Sequence, residues 1–177
     1  TAFYMPVVMS AVVVGMIWTN LLDSAGLVNS VLKALKIISK PIPFLTDRWG
    51  VLFSSMFVTI WLGLGYYMVI YLTALANIDE SLYEAASLDG AGPVRQFIYV
   101  TMPGVRSTMM LIMMLSTIAA FRVFNEIYVL TNGSAGPGGM DMTMSMLIKR
   151  EGTGIQARTG YASAISIVVL VIVGVML

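Results

Sequence analysis

"EAASLDGAGPVRQFIYVTMP", Glu84 to Pro103, is among the most polar stretches of a strongly apolar chain. Its punctuation reads as helix, sharp turn, helix. Upstream, Asn77 is placed to cap the first turn, with Glu80 three residues on to reach back. Asp79 and Glu80 suit the positive end of a helix dipole. Gly90 suits the left-handed position just past a helix C-terminus. Pro93 suits the first position of a second helix, "PVRQFIYVT", which Pro103 is expected to close. Leu82, Ala85, Ala86 and Asp89 share one face of the first helix, and small residues there allow another backbone to come close. A docking knob for a partner protein and a simple re-entry elbow fit this pattern equally.

Outward from the elbow, the chain is 58% hydrophobic and 11% charged over 177 residues, with a formal net charge of +1. Soluble domains sit near about half apolar and one quarter charged, so this composition indicates an integral membrane protein. The charge balance gives no argument for nucleic acid or an acidic substrate. With no Cys and no His, disulfides, thiol chemistry, Cys-based metal sites and histidine acid–base catalysis are excluded. Fifteen Met read as packing filler rather than metal ligands.

A membrane-crossing helix needs about 20 apolar residues. Four segments meet or approach this length: Ala2–Leu22, Gly50–Ala76, Val105–Leu130 and Tyr161–Leu177. In lipid they must be helices, because backbone groups need partners within the segment. The expected fold class is an all-α polytopic transmembrane helical bundle with about four spans. The chain starts and stops in apolar runs, so residues 1–177 are expected to be part of a longer domain, with the elbow loop at 77–103. In the first connector, Val28, Leu32, Leu35 and Ile38 lie near one helical face and Lys33, Lys36 and Lys40 elsewhere. That predicts a short amphipathic helix in the membrane interface. The last connector opens with "TNGSAGPGGMD", a Gly-rich flexible segment, followed by "MTMSMLIKREG", a candidate surface helix. The outer connectors, counting Arg122, hold eight of the ten Lys and Arg. A charge rule applied to this stretch alone places the elbow away from the cytoplasm.

Glu84, Ala85, Ala86, Asp89, Gly90, Ala91, Phe97 and Pro103 resemble the EAA loop of binding-protein-dependent ABC importer membrane subunits. The family pattern is E-A-A, three residues, G, nine residues, I-x-L-P. Here Val100 and Met102 stand at the Ile and Leu positions, and Asp79 replaces the Pro usual before the motif. "WTNLLDSAGLVNSVL", "WLGLGYYMVIYLTAL", "FNEIYVLTNG" and "GYASAISIVV" extend the resemblance over nearly the whole chain, towards the sugar-permease group and the larger membrane subunit of maltose-type importers. The resemblance implies a permease of the cell membrane that passes a sugar or oligosaccharide delivered by an extracytoplasmic binding protein. It also implies a second membrane subunit, a heterodimer by the maltose-type likeness, and a separate ATPase subunit that binds ATP and Mg. It places the elbow in the cytoplasm, against the charge rule, and its spacing is the more specific signal. Glu84, Ala85, Ala86, Asp89, Gly90 and Pro103 are then the ATPase-coupling residues. The chain itself has no phosphate-binding Gly-Lys-Ser/Thr loop, so no cofactor and no catalytic residue is expected on it.

By the same resemblance, the substrate-facing positions are Thr59, Leu62, Gly63 and Tyr66 on one span, and Ser116, Ala119, Ala120 and Val123 on the next. Trp61, Tyr66 and Tyr67 serve equally as aromatic filling between helices. Ala120 and Val123 stand where maltose-type subunits tend to have amides, which argues against maltose itself. Arg122 and Glu126, spaced i, i+4, are expected to pair as a structural contact. The Gly-rich loop after Thr131 is a candidate contact for the docked binding protein. An importer permease for a non-sugar solute is the alternative reading. An ion-coupled carrier would need acids inside the spans, and an intramembrane enzyme convergent ionisable groups.

Overall fold

The computed structural model describes residues 2–155 and 157–176, and within them every regular element is a helix. The chain enters through a 3-10 segment, Ala2–Val8, with Pro6 inside it, and then forms α1, Ala11–Leu22. The expected first span is therefore broken near Met9 and Ser10. Proline lacks the N–H of a regular ladder and strains it, and the tighter segment accommodates that. A turn follows, in which the Asp23 carboxylate accepts from the Ala25 N–H at 2.9 Å. It leads to the amphipathic α2, Leu27–Ala34.

Asp47 caps α3, Arg48–Ala76, by accepting from the Gly50 N–H at 3.2 Å. At 29 residues, α3 is about 44 Å long, more than the ~30 Å of hydrocarbon it must cross. It is the axis of the fold. The 3-10 segment, α1 and two later helices, α7 (Arg106–Phe121) and α8 (Asn125–Leu130), all pack on it. Val14 of α1, Val58 of α3 and Leu130 of α8 form a fully buried core, with Trp18, Trp61 and Leu62 against it. Gly15 is what lets α1 meet α8, because a Cβ there would stand 2.8 Å from Val129 Cγ1.

The elbow lies between α3 and α7. It consists of α4 (Glu80–Leu88), α5 (Pro93–Gln96), a π turn over Phe97–Thr101, and α6 (Met102–Gly104). Two expectations change here. Asn77 closes α3, donating from its side chain to Thr73 O at 2.8 Å, and Asp79 caps α4 by accepting from Ser81 N–H at 2.9 Å. Pro103 does not end its helix. The preceding π turn widens the ladder where the proline ring would meet a carbonyl, and the helix continues to Gly104. The bend comes at Val105, where the axis turns by 64° into α7.

The expected span Val105–Leu130 is likewise divided. Arg122 to Phe124 are non-helical and separate α7 from α8. Arg122 therefore lies in the break and Glu126 in α8 beyond it, and the two lose the i, i+4 register of a pair. The ion pair recorded among the described residues is Arg150–Glu151, at 3.1 Å. Two further helices, α9 (Met144–Gly152) and α10 (Thr159–Met176), pack on each other, and α10 also touches α7. By length and hydropathy, Arg48–Ala76 and Thr159–Met176 are each able to cross a membrane, the run Ala11–Ala34 qualifies when α1 and α2 are taken together across the turn at 23–26, and the bent pair Pro93–Gly104 with Arg106–Phe121 makes a fourth. Leu177 of the expected last span lies outside the described residues.

Candidate functional site: an elbow and a groove

The elbow is held by its own backbone. Gly90 takes φ 73°, its N–H donates to Ser87 O at 3.0 Å, and the Ala91 N–H reaches back to Ala86 O at 2.9 Å. These two bonds are a Schellman motif, which satisfies the last carbonyls of α4. A non-glycine residue at Gly90 would meet no atom within 4 Å but would be forced into a strained backbone. Two side-chain bonds then brace α4 against the following helix, and a third braces the turn between them. The Tyr83 hydroxyl meets the Thr101 hydroxyl at 2.9 Å, and the Gln96 amide donates to Ser87 Oγ at 2.8 Å and to Ala91 O at 3.1 Å. At the root, Gly104 sits against Ile78, where a Cβ would come within 2.8 Å of Ile78 Cδ1.

This brace leaves the outer face bare. Glu84, Ala85, Asp89 and Gly90 are exposed, Ala86 is half-buried, and Pro103 is exposed at the second helix's end. Leu88 is 90% exposed, an apolar side chain with nothing over it on a polar helix. The sequence reading missed Leu88, and its signal was available: a lone leucine inside "ASLDG" just before the turn. The backbone N–H of Ser81 holds the Asp79 carboxyl below its ordinary range.

The groove runs between α3 and α7. A cavity of about 560 Å³ is lined by Thr59, Gly63, Tyr67 and Tyr71 on α3 and by Ser116, Ala119 and Ala120 on α7. A second cavity of about 320 Å³ continues it, sharing Thr59, Ile60 and Ala120 and adding Val123 and Ile127. The structure thus brings Thr59, Gly63, Ser116, Ala119, Ala120 and Val123 to one groove. Leu62 and Tyr66 lie elsewhere. Leu62 packs on the Val14–Val58–Leu130 core. Tyr66 is half-exposed and meets Tyr67 edge-on at 5.3 Å. The groove-facing row is 59, 63, 67, 71, at four-residue spacing, so Tyr67 and Tyr71 replace Tyr66 as the aromatic faces.

The groove's chemistry is sparse. Thr59 donates to Ser55 O at 2.8 Å and Ser116 to Met113 O at 3.0 Å, so both hydroxyls face the groove as acceptors. Its lining contains no amide and no charged side chain, and its polar groups are the hydroxyls of Ser55, Thr59, Tyr67, Tyr71, Ser116 and Thr143. Among the described residues no three His, Cys, Asp or Glu side chains gather.

The Gly-rich loop is packed rather than slack. Ala135 is fully buried beside Ile127 and Met146, and its N–H donates to Thr131 Oγ1 at 3.1 Å. Asp141 Oδ2 is buried without a partner. Burial pushes the Asp141 carboxyl up, with the Arg48 charge opposing and the Asp47 charge adding. Lys149 of α9 stands over the stacked rings of Tyr128 and Phe124, at 4.0 and 4.9 Å, and ties α9 to α8.

A family model, binding-protein-dependent transport system inner membrane component, matches residues 1–177. The lactose transport system permease protein LacF of Rhizobium radiobacter is 32% identical over 176 residues, covering 99% of this chain and 59% of that protein. The arabinooligosaccharides transport system permease protein AraP of Bacillus subtilis is 29% identical over 175 residues, 98% of this chain and 55% of the relative. A crystal structure of a bacterial ABC transporter involved in the import of the acidic polysaccharide alginate superposes with a TM-score of 0.76 at 26% identity. That match covers 96% of this chain and 60% of the other. The chain thus spans between half and two-thirds of the length of these relatives.

Proposed function

Since the chain belongs to the family of binding-protein-dependent transport system inner membrane components, we propose that it is the permease part of an ATP-driven importer of a sugar or oligosaccharide. The solute would arrive on an extracytoplasmic binding protein and pass through a path completed by a second membrane subunit. ATP and Mg would be handled by a separate ATPase subunit, docked on the elbow from the cytoplasm.

The observation that carries this reading is the elbow's construction: stiff inside, unpartnered outside, and continuous with both α3 and the bent α6–α7 rod. Such a part transmits displacement. If an ATPase grips Glu84, Ala85, Ala86, Leu88 and Asp89, its closure moves the elbow as one body, and α3 and α7 move with it. Those are the two helices that line the groove, so the lever and the solute path share their walls. The sugar class is supported by the names of the relatives, which concern lactose and arabinooligosaccharides, and by the Tyr67 and Tyr71 rings, which offer flat apolar faces to a sugar ring. The amide-free lining favours recognition by shape over recognition of each hydroxyl.

The test is Gly90→Leu in the full-length permease, reconstituted with its ATPase and binding protein. The variant is expected to insert and assemble, to hydrolyse ATP, and to lose uptake of the radiolabelled sugar identified by a panel screen. Wild-type uptake by this variant would overturn the lever.

A further inference from the structure

On the membrane side opposite the elbow, the first connector forms a second candidate site, and this inference stands apart from the transport reading. Its keystone is Asn29, whose side chain is 0% exposed. The Asn29 amide donates to Asp23 O at 3.1 Å and to Ile42 O at 3.0 Å, and its Oδ1 accepts from Ile42 N–H at 2.8 Å. These bonds fix α2 and the chain as far as Pro43 into one body. Lys33 lies in the last turn of α2, Lys36 follows in the left-handed conformation at φ 57°, and Lys40 precedes Pro41. All three are exposed. The connector's two acids, Asp23 and Asp47, stand at its ends and accept from the backbone N–H groups of Ala25 and Gly50, and none of the three lysines joins an ion pair among the described residues.

The same connector that carries these exposed lysines also carries unpartnered carbon. Leu27, Val31 and Leu35 make an exposed stripe along α2 at four-residue spacing, continued by Ile37. Beneath α2 lies a crevice of about 370 Å³ lined by Trp18, Leu22, Val28, Phe44, Phe53 and Phe57. The one hydroxyl at its wall, Ser54, is turned to Phe44 O at 3.3 Å. Val28 belongs to both parts, since it sits on α2 and lines the crevice. A short helix with one face on the protein, an apolar face bare, one lysine in its last turn and two more on the chain that follows it suits the plane of a membrane interface. The phosphate of an anionic lipid headgroup, in either leaflet, offers such lysines charge-assisted hydrogen bonds.

We propose that residues 18–57 form a binding site for an anionic phospholipid, with the headgroup phosphate held by Lys33, Lys36 and Lys40 and an acyl chain in the aromatic crevice. A water-soluble acidic partner satisfies the lysines but leaves the α2 stripe and the crevice uncovered. A lipid satisfies both at once.

The experiment uses the full-length permease with its partner subunits in nanodiscs of phosphatidylcholine. These are doped with either phosphatidylglycerol or phosphatidylcholine carrying a photoactivatable acyl chain, and cross-linked peptides are mapped by mass spectrometry. The phosphatidylglycerol probe is expected to label residues 18–57 roughly tenfold more than the phosphatidylcholine probe. K33Q/K36Q/K40Q should erase that preference, and this surface variant disturbs no buried contact. Val28→Trp, which fills the crevice, should lower labelling by both probes while keeping their ratio. Equal labelling by the two probes, or a preference that survives the triple substitution, overturns the proposal. So does a triple variant that keeps its lipid labelling but loses capture of the solute-binding protein, since the lysines would then serve that protein.

Discussion

The elbow and the bundle that bears the groove are built by opposite means. Every bond that shapes the elbow joins residues within one short stretch: Gly90 to Ser87, Ala91 to Ala86, Gln96 to Ser87, Tyr83 to Thr101. The bundle is assembled from residues far apart in sequence, as in the Val14–Val58–Leu130 core and the Gly15–Val129 crossing. A part made of local hydrogen bonds is able to move as a body without repacking. A part made of long-range packing changes shape only when its helices slide. The lever and the path proposed above call for these two characters respectively.

The bundle is the easier of the two to destroy. Gly15→Leu pushes a branched side chain into Val129, with α1 and α8 both fixed by the core beneath. Overpacking of this kind costs typically about 1–3 kcal/mol, and the full-length variant in detergent should melt markedly earlier with a lower folded yield. A leucine at Gly90, with open space around it, should change the same melting curve far less. Equal losses at the two glycines would erase the distinction between the regions.

Gly63→Leu tests the groove without attacking the core. Its Cβ would stand 3.2 Å from the Tyr67 ring, and the added side chain occupies space that is empty between α3 and α7. Melting should stay close to wild type, while uptake by the reconstituted importer falls on the order of tenfold, equivalent to about 1.4 kcal/mol. Leu62→Ala provides the contrast, because Leu62 faces the core: it should lower stability, as large-to-small core changes do, with less effect on uptake of the folded fraction.

The same division explains what could be read from sequence. Gly90 and Pro93 announce the elbow because a positive φ and a helix start are local demands that few residues meet. Even there, Asn77 and Asp79 are both good caps two residues apart. The choice fell to Asp79 because α3 runs on to Ala76 and Asn77 turns back to Thr73. The groove's residues were legible as a stripe but not its facing. What turns α3 is the edge-on contact of Trp61 with Trp18, at 5.6 Å, and the burial of Leu62 in the core. These put Tyr67 and Tyr71, and not Tyr66, on the groove side. The break at Arg122–Phe124 contains neither Gly nor Pro. It is held from outside, by Ser145 donating to Phe121 O at 3.3 Å and by Ile127 packing on Met146, and no window of local sequence contains those partners.

Within the elbow, Tyr83→Phe removes the hydroxyl pair with Thr101 and leaves the ring. A single neutral hydrogen bond is worth about 1 kcal/mol net. That loss should appear as roughly fivefold faster hydrogen exchange across residues 80–101, with the global melting temperature little changed. A global shift instead would mean that the elbow is not an independent unit.

The smallest effect distinguishes a cap from a charge. Asp79 binds its proton more weakly in the folded protein than in the unfolded chain, because the ionised carboxylate accepts from Ser81 N–H. An acid whose folded value is lowered adds stability above its ordinary value and loses it as pH falls through the lowered one. The ordinary value is 3.8, so protection of the first turn of α4 should be flat from neutral pH down to that point and decline below it. Asp79→Ala should be less protected throughout and show no such decline. Because the bond closes a turn between residues two apart, protonation should loosen residues 80–83 and leave exchange in α3 and the Tyr67–Ser116 region untouched. A decline that spreads into α3 would mean that the elbow's first turn and the bundle open together, and the body that moves as a lever would then have to include the end of α3.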